Sequence, residues 1–426
     1  MSRKAADVEA IRTLDDFEVQ GRTVLVRADF NCPIEKGTRR IKDDTRIRAS
    51  APTIRELAEK GARVVVLSHQ GDPLDYQNFT SLAEHAERLS TALGKRVIFI
   101  DDVCGPAARE RIRQLGEGEV LLLENVRYHT EETIIFEKQV ALSPEEQAET
   151  PVVRKLSPLA QLYVCDAFAC VHRSEPTLVG FPEVLPSAAG RLFAAELATL
   201  ERVRENPEKP CVFMLGGAKI LDAFAMMKTV LASGSADEIL ATGLVGQVFL
   251  LAEGIELGEA SMRVIREMKL AEFVPAAKEL LAGHGKKIRR PVDVAVDRDG
   301  AREEVRVKEL PADGPIMDVG TRTVKEYADV LAKARTIFLN GPAGAYEREE
   351  FSEGTRRLWE AVARSDGFSL IGGGDTIAAA KRFGVAEEMS AISTAGGGLI
   401  LYLSGEKLPV LEALEKSGRR EGAGKA

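Results

Sequence analysis

Two series of short apolar runs constrain the fold of this 426-residue chain. In the first half, runs rich in β-branched residues alternate with helix-like segments such as Arg46–Lys60 and Ser81–Leu93. Continuous apolar runs of this length predict strands that are buried on both faces, and the alternation with helices predicts a parallel sheet. The predicted strands of this half are Val24–Phe30, Val64–His69, Val97–Ile100, Val120–Leu123 and Leu162–Phe168.

The same alternation starts again in the second half. The pattern breaks around Pro182–Pro186, and Ala188–Arg204 predicts one long connecting helix. Six further strands are predicted at Cys211–Leu215, Glu238–Thr242, Ile288–Val296, Thr336–Leu339, Ser369–Ile371 and Ala391–Ser393, with a polar interruption at Val305–Gly314. We therefore predict an α/β protein with two doubly wound, Rossmann-like parallel-sheet domains joined by a helix and hinge. The charged end of the chain, Glu415–Ala426, is expected to fray.

The composition of the chain disfavours several kinds of binding partner. The net charge of −8 disfavours a general attraction to nucleic acid or to membranes. No apolar run has transmembrane length, and residues 1–10 lack a signal-peptide core. The five cysteines are scattered without a CxxC pair, which favours free thiols in a reducing compartment and disfavours a zinc site. We expect a cytoplasmic protein.

Glycine-rich turns follow several of the predicted strands in the second half. In SLIGGGDTIAAA, residues 369–380, three glycines allow a ligand to approach the main chain, and the helix that follows directs free N–H groups at it. Asp375 adds a carboxylate of the kind that Mg²⁺ prefers beside phosphate oxygens. The alternative is an ordinary turn in which Asp375 caps the helix. Similar turns at residues 213–219, 337–347 and 392–398 favour a single phosphate-rich ligand.

Polar side chains follow the predicted strands of the first half. Ligands of open parallel sheets bind beyond the carboxyl ends of the strands, so these residues are candidates for a binding site. A lone arginine there is usually a surface ion pair, but several at equivalent ends favour a cationic basin for phosphate or carboxylate. The candidates are Arg27, Arg46, His69, Arg127, His172 and Arg173, with Asp29 and Asn31 placed to hold hydroxyl groups. One half thus suits a small anion and the other a nucleotide with Mg²⁺, which suggests phosphoryl transfer.

Taken together, these segments closely resemble the phosphoglycerate kinase family. The matching segments are VRADFNCPI, DDTRIRASAPTI, LSHQG, LLLENVRYH, YVCDAFACVHR, MLGGAKI, LNGPAGAYE, IGGGDTIAA and ISTAGGGL. They occur in the family's order from about residue 20 to residue 410. The segments GLVGQVFLLAEG and LSGEKLPVLEAL are most similar to the archaeal branch of the family.

The resemblance implies an enzyme that transfers a phosphoryl group reversibly between ATP and the carboxylate of 3-phosphoglycerate, in glycolysis or gluconeogenesis. It implies Mg²⁺ as cofactor, ATP and ADP as co-substrates, small-molecule partners with neither nucleic acid nor membrane, and a monomer. The implied segments are a substrate domain over 1–185, a connecting helix and hinge over 186–205, a nucleotide domain over 206–400, and a C-terminal segment over 401–426 that returns to the first domain.

The resemblance also implies roles for individual residues. Those that correspond to the 3-phosphoglycerate site are Asp29, Asn31, Arg46, His69, Arg127 and Arg173. The nucleotide residues are Lys219, Asn340, Glu347, Gly373, Gly374, Asp375 and Thr376, and Asp375 is also the Mg²⁺ ligand. Catalytic roles fall to Arg46, Lys219, Gly373 and Gly397.

The chain departs from the family pattern at four positions. Asp72 stands in SHQGDP where the family usually has an arginine, and a carboxylate there would repel a phosphate. Ala223 replaces a second lysine of many members, Ala395 replaces a glycine of the last glycine loop, and Leu401 replaces a usual acid.

Two alternatives to the main interpretation stay open at this point. Asp72 allows a kinase that acts on a different carboxylate. A non-catalytic nucleotide-binding relative is the other possibility, although such a protein would not need the combination of Arg46, Lys219, Glu347 and Asp375. The net charge argues against a nucleic-acid binder.

Overall fold

A computed structural model describes residues 11–72, 79–133 and 138–423. The chain divides into two compact units. The first comprises Met1–Leu197 and Lys407–Ala426, and the second comprises Ala198–Glu406. The division falls inside a helix that begins in the first unit, within the 186–205 segment that the sequence predicts as the connection. In the part of the chain that the structure describes, no helix is both long and apolar enough to span a bilayer.

The first unit is built on a six-stranded sheet in which all neighbouring strands are parallel. Its strands are β1 (Thr23–Arg27), β2 (Arg63–Leu67), β3 (Val97–Phe99), β4 (Val120–Leu122), β5 (Leu162–Cys165) and β6 (Ser187–Ala189). They lie in the order β3-β4-β2-β1-β5-β6. All five residues of β1 are buried, as expected for a strand covered on both faces.

Helices cover this sheet. They are α1 (Thr45–Glu59), α2 (Ala83–Leu93), α3 (Pro106–Arg113), α4 (Pro144–Ala148), α5 (Pro151–Leu156), α6 (Phe181–Val184) and the start of α7 (Arg191–Arg204). On α1, Ile47, Ile54 and Leu57 recur at helical spacing and share a buried core with Val24 and Val26 of β1. This packing fixes the N-terminal end of α1, which carries Arg46.

The second unit contains two sheets. The strands of its six-stranded parallel sheet are β7 (Cys211–Leu215), β8 (Glu238–Ala241), β9 (Ile288–Arg289), β13 (Thr336–Asn340), β14 (Phe368–Gly372) and β15 (Ala391–Ser393), in the order β15-β14-β13-β7-β8-β9. Read from β9, this is the doubly wound order of Rossmann folds. A separate antiparallel sheet contains β10 (Asp293–Arg298), β11 (Ala301–Arg306) and β12 (Ile316–Val319). The predicted fold class, two Rossmann-like domains, is confirmed.

The helices of the second unit are α8 (Ile220–Ala232), α9 (Gly243–Ala252), α10 (Glu259–Glu267), α11 (Val274–His284), α12 (Thr321–Leu331), α13 (Glu353–Ala363), α14 (Gly374–Arg382) and α15 (Gly397–Leu403). The last helix, α16 (Pro409–Ala423), belongs to the first unit.

The predicted strand Ile288–Val296 is wrong. The segment forms β9, which is the edge strand of the parallel sheet, and then β10, which is the centre of the antiparallel sheet. Pro291 lies between them, and it lacks the N–H group that a continuous strand would need for its ladder. The polar interruption predicted at Val305–Gly314 begins inside β11, whose residue Val305 pairs with Val294.

The connecting helix is shorter than predicted. Its expected first residues, Ala188 and Ala189, belong to β6, and the helix begins at Arg191. Gly190 makes the turn between them, where an added Cβ would overlap the carboxylate of Asp166. The Asp166 carboxylate accepts a hydrogen bond from the backbone N–H of Phe193 at 3.1 Å and so satisfies the first turn of α7.

The expectation that Glu415–Ala426 frays is wrong for its described part, which is helical to Ala423. Lys416 donates to the Glu183 carboxylate at 2.7 Å, and Arg420 donates to the Glu183 carbonyl at 2.7 Å. Ser417 is completely buried. The charges that suggested a solvated tail therefore bind the first unit.

An ion pair ties α7 to α1 within the first unit. The Arg191 guanidinium donates to both carboxylate oxygens of Glu56, each at 2.7 Å, and it also binds Asp15. This hydrogen bonding to Arg191 lowers the pKa of Glu56 to about 2.

We expect Glu56→Gln to lower the free energy of unfolding by about 1 kcal/mol at pH 7, because the pair is partly exposed and screened. A carboxyl whose pKa is depressed in the folded state stabilises it above the unfolded pKa, and this contribution is lost as the pH falls through the folded value. The difference between variant and parent should therefore shrink below pH 4.5 toward pH 2.

Urea denaturation between pH 7 and pH 3 measures this effect, and Glu59→Gln, an exposed carboxylate on the same helix, is the control. A difference between Glu56→Gln and the parent that does not change with pH would contradict the assignment.

Candidate active site

The first group of candidate residues lies where the strand order of the first sheet reverses. β1 has β2 on one side and β5 on the other, and Arg27 at its end is paired with Leu67 and Cys165. The residues that follow these three strands therefore emerge at one edge of the sheet. Such a switch point is where open parallel sheets bind ligands.

Arg27 is completely buried at this edge. Its Nε donates to Thr177 Oγ1 at 2.9 Å, its Nη1 to the Ala28 carbonyl at 2.6 Å, and its Nη2 to His69 Nδ1 at 3.2 Å. Glu175 Oε2 lies 3.8 Å from Nη2 and balances the charge. These contacts fix the orientation of the guanidinium.

His69 is a neutral hydrogen-bond donor in this arrangement. Burial, reinforced by the charges of Arg27 and Arg127, holds the pKa of His69 well below its usual value. A guanidinium can only donate, so Nδ1 is the acceptor and the ring proton lies on Nε2. Nε2 is 3.9 Å from Asp29 Oδ1, too far for a hydrogen bond, so this N–H can reach a ligand.

Asp29, Asn31 and Arg46 lie together beside His69. The Arg46 guanidinium forms an ion pair with Asp29, and the Asn31 backbone N–H donates to Asp29 Oδ1 at 3.0 Å. The Asn31 side chain donates to Asp72 Oδ1 at 3.3 Å and accepts from the backbone N–H of Gly71 at 2.9 Å. Asp72 is exposed, and its carboxylate lies against a predicted substrate residue rather than turned away from the site.

Arg127 and Arg173 complete the group, which we call the arginine basin: Arg27, Arg46, His69, Arg127 and Arg173. Both arginines lie beside Glu175 Oε1, at 3.6 Å from Arg127 and 3.3 Å from Arg173. The three side-chain nitrogens of Arg127 are buried without a hydrogen-bond partner among the described residues. Burial lowers the pKa of this guanidinium. A buried cation with unused donors is the signature of an anion site.

Asp29, His69 and Cys170 place one donor atom each within 4.8 Å of one another, which raises the question of a metal ion. Burial and the neighbouring Asp29 raise the pKa of the Cys170 thiol to about 12, so it is not a thiolate. His69 carries its proton on the nitrogen that would face the ion, and arginines surround the cluster. These groups suit an anion.

The second group of candidates lies at the switch point of the second parallel sheet, where β7 and β13 are neighbours. Backbone hydrogen bonds from Gly216 N to the Asn340 carbonyl, 2.9 Å, and from Gly217 N to the Pro342 carbonyl, 2.8 Å, join the loops that follow these strands. Together with two further loops they enclose a cavity of about 110 Å³, which we call the glycine cradle. Its lining includes Gly216, Gly217, Lys219, Asn340, Gly341, Gly373, Gly374, Asp375, Thr376, Gly396 and Gly397.

The turn into α14 is held by side chains of the cradle itself. Asn340 Nδ2 donates to the Gly372 carbonyl at 2.7 Å, and Thr376 Oγ1 accepts from Gly341 N at 2.8 Å. Gly373 has φ +93° and occupies the N-cap position. The alternative in which Asp375 is the helix cap is therefore wrong. Its exposed carboxylate lies in the first turn of the helix.

An apolar cavity of about 380 Å³ adjoins the cradle and shares Gly217, Ala218 and Asp375 with it. Its walls come from α9, α10, the antiparallel sheet and the loop after β13, and they include Leu244, Leu250, Val264, Val294, Ile316, Met317 and Val319. Glu347, whose side chain is exposed, also lines it. A flat heteroaromatic ring with an attached polar group suits such a lining.

Two of the four departures from the family pattern, Ala223 and Ala395, fit the structure without disturbing its backbone. Ala223 is buried in α8. Ala395 is also buried, and the left-handed backbone of its loop falls on the next residue, Gly396, with φ +53°. An alanine at 395 therefore leaves the geometry of the loop intact.

The sequence reasoning missed several residues of the two sites. Glu175, Thr177 and Gln70 contact predicted residues of the basin, and Asp318 lies buried beneath the apolar cavity. Burial raises the pKa of Asp318 to about 6, and Arg302 donates to it at 2.8 Å. Glu175 and Thr177, which follow Arg173 closely after β5, and Gln70, which directly follows His69 after β2, carried a signal in their position beyond strand ends.

Comparison with known proteins places the chain in a family. The sequence model of phosphoglycerate kinase matches residues 14–406. Phosphoglycerate kinase of Methanothermobacter thermautotrophicus is 48% identical over 406 residues, which are 95% of this chain and 97% of that protein.

Comparison with solved structures leads to the same family as comparison of sequences. The crystal structure of phosphoglycerate kinase from Pyrococcus horikoshii matches with a TM-score of 0.83 at 40% identity, covering 96% of this chain and all of that one. Phosphoglycerate kinase from Coxiella burnetii matches with a TM-score of 0.81 at 31% identity, covering 95% and 99%. Curated archaeal relatives are 42–48% identical, which confirms the predicted branch. The chain belongs to the phosphoglycerate kinase family.

Proposed function

We propose that this chain transfers the γ-phosphoryl group of ATP reversibly to the carboxylate of 3-phosphoglycerate, giving ADP and 1,3-bisphosphoglycerate in glycolysis and gluconeogenesis. The observation that carries the proposal is the buried guanidinium of Arg127, whose three nitrogens lack hydrogen-bond partners among the described residues. A bound anion would satisfy these donors, and family membership supports the phosphorylated substrate as that anion.

In this proposal the first unit binds 3-phosphoglycerate. Arg127 and Arg173 take its anionic groups, and His69 donates its Nε2–H to a substrate oxygen. Asp29 and Asn31 hold its hydroxyl group. Arg46, with its side chain 35% exposed beside Asp29, remains free to turn toward the phosphoryl group in transfer.

The second unit binds the nucleotide. The base enters the apolar cavity, Glu347 holds the ribose hydroxyls, and the phosphates lie in the glycine cradle against the backbone N–H groups that begin α14. The residues of the cradle assigned to the phosphates are Lys219, Asn340, Gly373, Gly374, Asp375 and Thr376. Trp359, the only tryptophan, donates to the Thr376 carbonyl at 3.3 Å and steadies this helix start.

Asp375 is the proposed ligand of Mg²⁺. Its carboxylate is exposed within the cradle, and hard carboxylate oxygens beside phosphate are what this ion prefers. When bound, Mg²⁺ would neutralise charge on the nucleotide phosphates.

The chemical step needs no general base, because the substrate carboxylate is ionised at neutral pH. Its oxygen attacks the γ-phosphorus, a new P–O bond forms, and the bond to the β–γ bridging oxygen breaks as ADP leaves with the electron pair. Arg46, Lys219 and the backbone N–H groups of Gly373 and Gly397 stabilise the charge that spreads over the phosphoryl oxygens. We further propose that the enzyme works as a cytoplasmic monomer with small molecules as its only substrates.

A second candidate function is phosphorylation of a different carboxylate. The hydrogen bond from Asn31 to Asp72 favours it, because a carboxylate beside a substrate residue disfavours an incoming phosphate.

We expect Arg46→Ala to lower turnover by about 10²–10³-fold, since it removes a donor to the transferring group. The affinity for ADP, measured by calorimetry, should stay within twofold of the parent. Arg48→Ala is the matched control, because Arg48 lies on the same helix, is 62% exposed and pairs with Asp44. A parental rate for Arg46→Ala would remove this residue from the mechanism.

We expect Gly373→Ala to weaken ADP binding by about tenfold. A residue with a side chain is disfavoured at φ +93°, so the alanine would distort the turn of the cradle that is assigned to the phosphates. The added Cβ would also lie 2.7 Å from Asn340 Nδ2. Gly384→Ala also places an alanine at positive φ, +72°, at the other end of α14, where nothing lies within 4 Å. Calorimetric titration of both variants with ADP measures the effect, and equal losses in the two would refute a role for the cradle.

Asp72→Asn should lower the KM for 3-phosphoglycerate by about two- to fivefold, because it removes one unit of like charge near the basin. Asp101→Asn, an exposed carboxylate just beyond edge strand β3, is the control. Initial rates with 3-phosphoglycerate and a panel of other carboxylates decide between the two candidate functions. Faster turnover of another carboxylate by the parent protein would favour the second.

A further inference from the structure

A chain of buried hydrogen bonds extends from Arg27 and His69 of the arginine basin to Thr177 and Glu132, which are outside the predicted site residues. Glu132, Thr177 and Arg27 are each completely buried. The two carboxylate oxygens of Glu132 accept from the backbone N–H and the hydroxyl of Thr177, both at 2.7 Å. The same hydroxyl oxygen lies 2.9 Å from Arg27 Nε. Glu132 is thus connected to His69 through two intermediates, Thr177 and Arg27.

Arg27 fixes the direction of each hydrogen bond in the chain. Because a guanidinium only donates, Thr177 Oγ1 accepts from Arg27, and its one proton goes to Glu132. At the other end, Arg27 Nη2 donates to His69 Nδ1 at 3.2 Å. Arg27 therefore donates in both directions, through Thr177 toward Glu132 and directly to His69, and the proton of the neutral imidazole is left on Nε2.

The free end of this chain is the part that a substrate would meet. His69 Nε2 has no hydrogen bond to Asp29 Oδ1, which lies 3.9 Å away. An imidazole of the other tautomer would present a lone pair there and would repel an anionic oxygen. Since buried ionic groups contribute little net stability compared with apolar packing, the retention of Arg27 and Glu132 favours a role in specifying this geometry.

We propose that Glu132 and Thr177 are positioning residues for 3-phosphoglycerate, which act through Arg27 to keep His69 in the Nε2–H tautomer. This inference rests on the assignment of the basin to that substrate. Neither residue contacts the ligand; each restricts the orientation of Arg27, whose remaining donor Nη1 is held by the Ala28 carbonyl at 2.6 Å.

Thr177→Val tests the proposal because valine keeps the volume and removes the hydroxyl group. The chain has five histidines, so ¹⁵N-histidine spectra of the ligand-free protein resolve the ring nitrogens, and His69→Gln identifies the His69 signals. We expect the parent to show a protonated Nε2 and an unprotonated Nδ1. In Thr177→Val, both nitrogens should move toward averaged values, as Arg27 loses its fixed orientation.

The expected kinetic effect of Thr177→Val is limited to the KM for one of the two substrates. Thr177→Val should raise the KM for 3-phosphoglycerate by about tenfold, the usual effect of losing a hydrogen bond to a charged group. The KM for ATP should stay within twofold, and Thr177→Ser, which restores the hydroxyl, should return both the spectra and the KM to parental values. A loss of stability with parental His69 signals and a parental KM would overturn the proposal.

Glu132→Gln provides an independent test if Thr177→Val does not fold. Its amide group donates to Thr177 Oγ1, so the hydroxyl loses its acceptor on residue 132 and its oxygen is shared between this amide and Arg27 Nε. The same change in His69 signals is expected. Unchanged signals would overturn the role of Glu132. If the parent shows no turnover with 3-phosphoglycerate, the substrate assignment fails, whereas the spectra of the free protein still decide whether the chain fixes His69.

Discussion

Both units depend on one constraint of parallel sheets, which is that their two faces must be covered by helices. β1 and β7 are buried along their whole length, so polar groups can meet a ligand only where the strands end. The parallel register then brings the carboxyl ends of neighbouring strands to a common edge. At the two points where the strand order reverses, the helices diverge and leave room for a ligand. The arginine basin and the glycine cradle occupy these two points.

The two sites meet the same electrostatic demand by different means. In the basin, side chains supply the positive charge, and the cost of burying Arg27 and Arg127 is offset by Glu175, which lies within 4 Å of both. The balance is incomplete, since the donors of Arg127 are left without hydrogen bonds to described residues. In the cradle, backbone N–H groups and helix starts act instead, which requires glycine where side chains would fill the space.

Burial also determines the chemistry of individual groups in the basin. His69 would titrate near neutral pH in water, but here its surroundings disfavour a further positive charge, so it stays neutral. Its tautomer is then fixed by Arg27 rather than by its own environment of carboxylates. Glu132 illustrates the opposite case: burial, together with Glu175, raises its pKa, while the charge of Arg27 and the hydrogen bonds from Thr177 oppose the rise. The protonation of a titratable group in the basin therefore depends more on how the neighbouring groups are arranged around it than on how many there are.

The sequence by itself determined the α/β class, the two domains, the strands that follow apolar runs and the residues at their ends, because burial on both faces and ligand binding at strand ends leave local patterns. The local sequence pattern gave wrong predictions where contacts between distant residues decide the structure. Pro291 divides one apolar run between two sheets. The charged side chains of Lys416 and Arg420 bind the first unit instead of water. Only the tertiary structure revealed the pairing of Glu132 with Thr177 and the apolar cavity. Their partners are far away in the chain, and a buried carboxylate has no sequence pattern that distinguishes it from a solvated one.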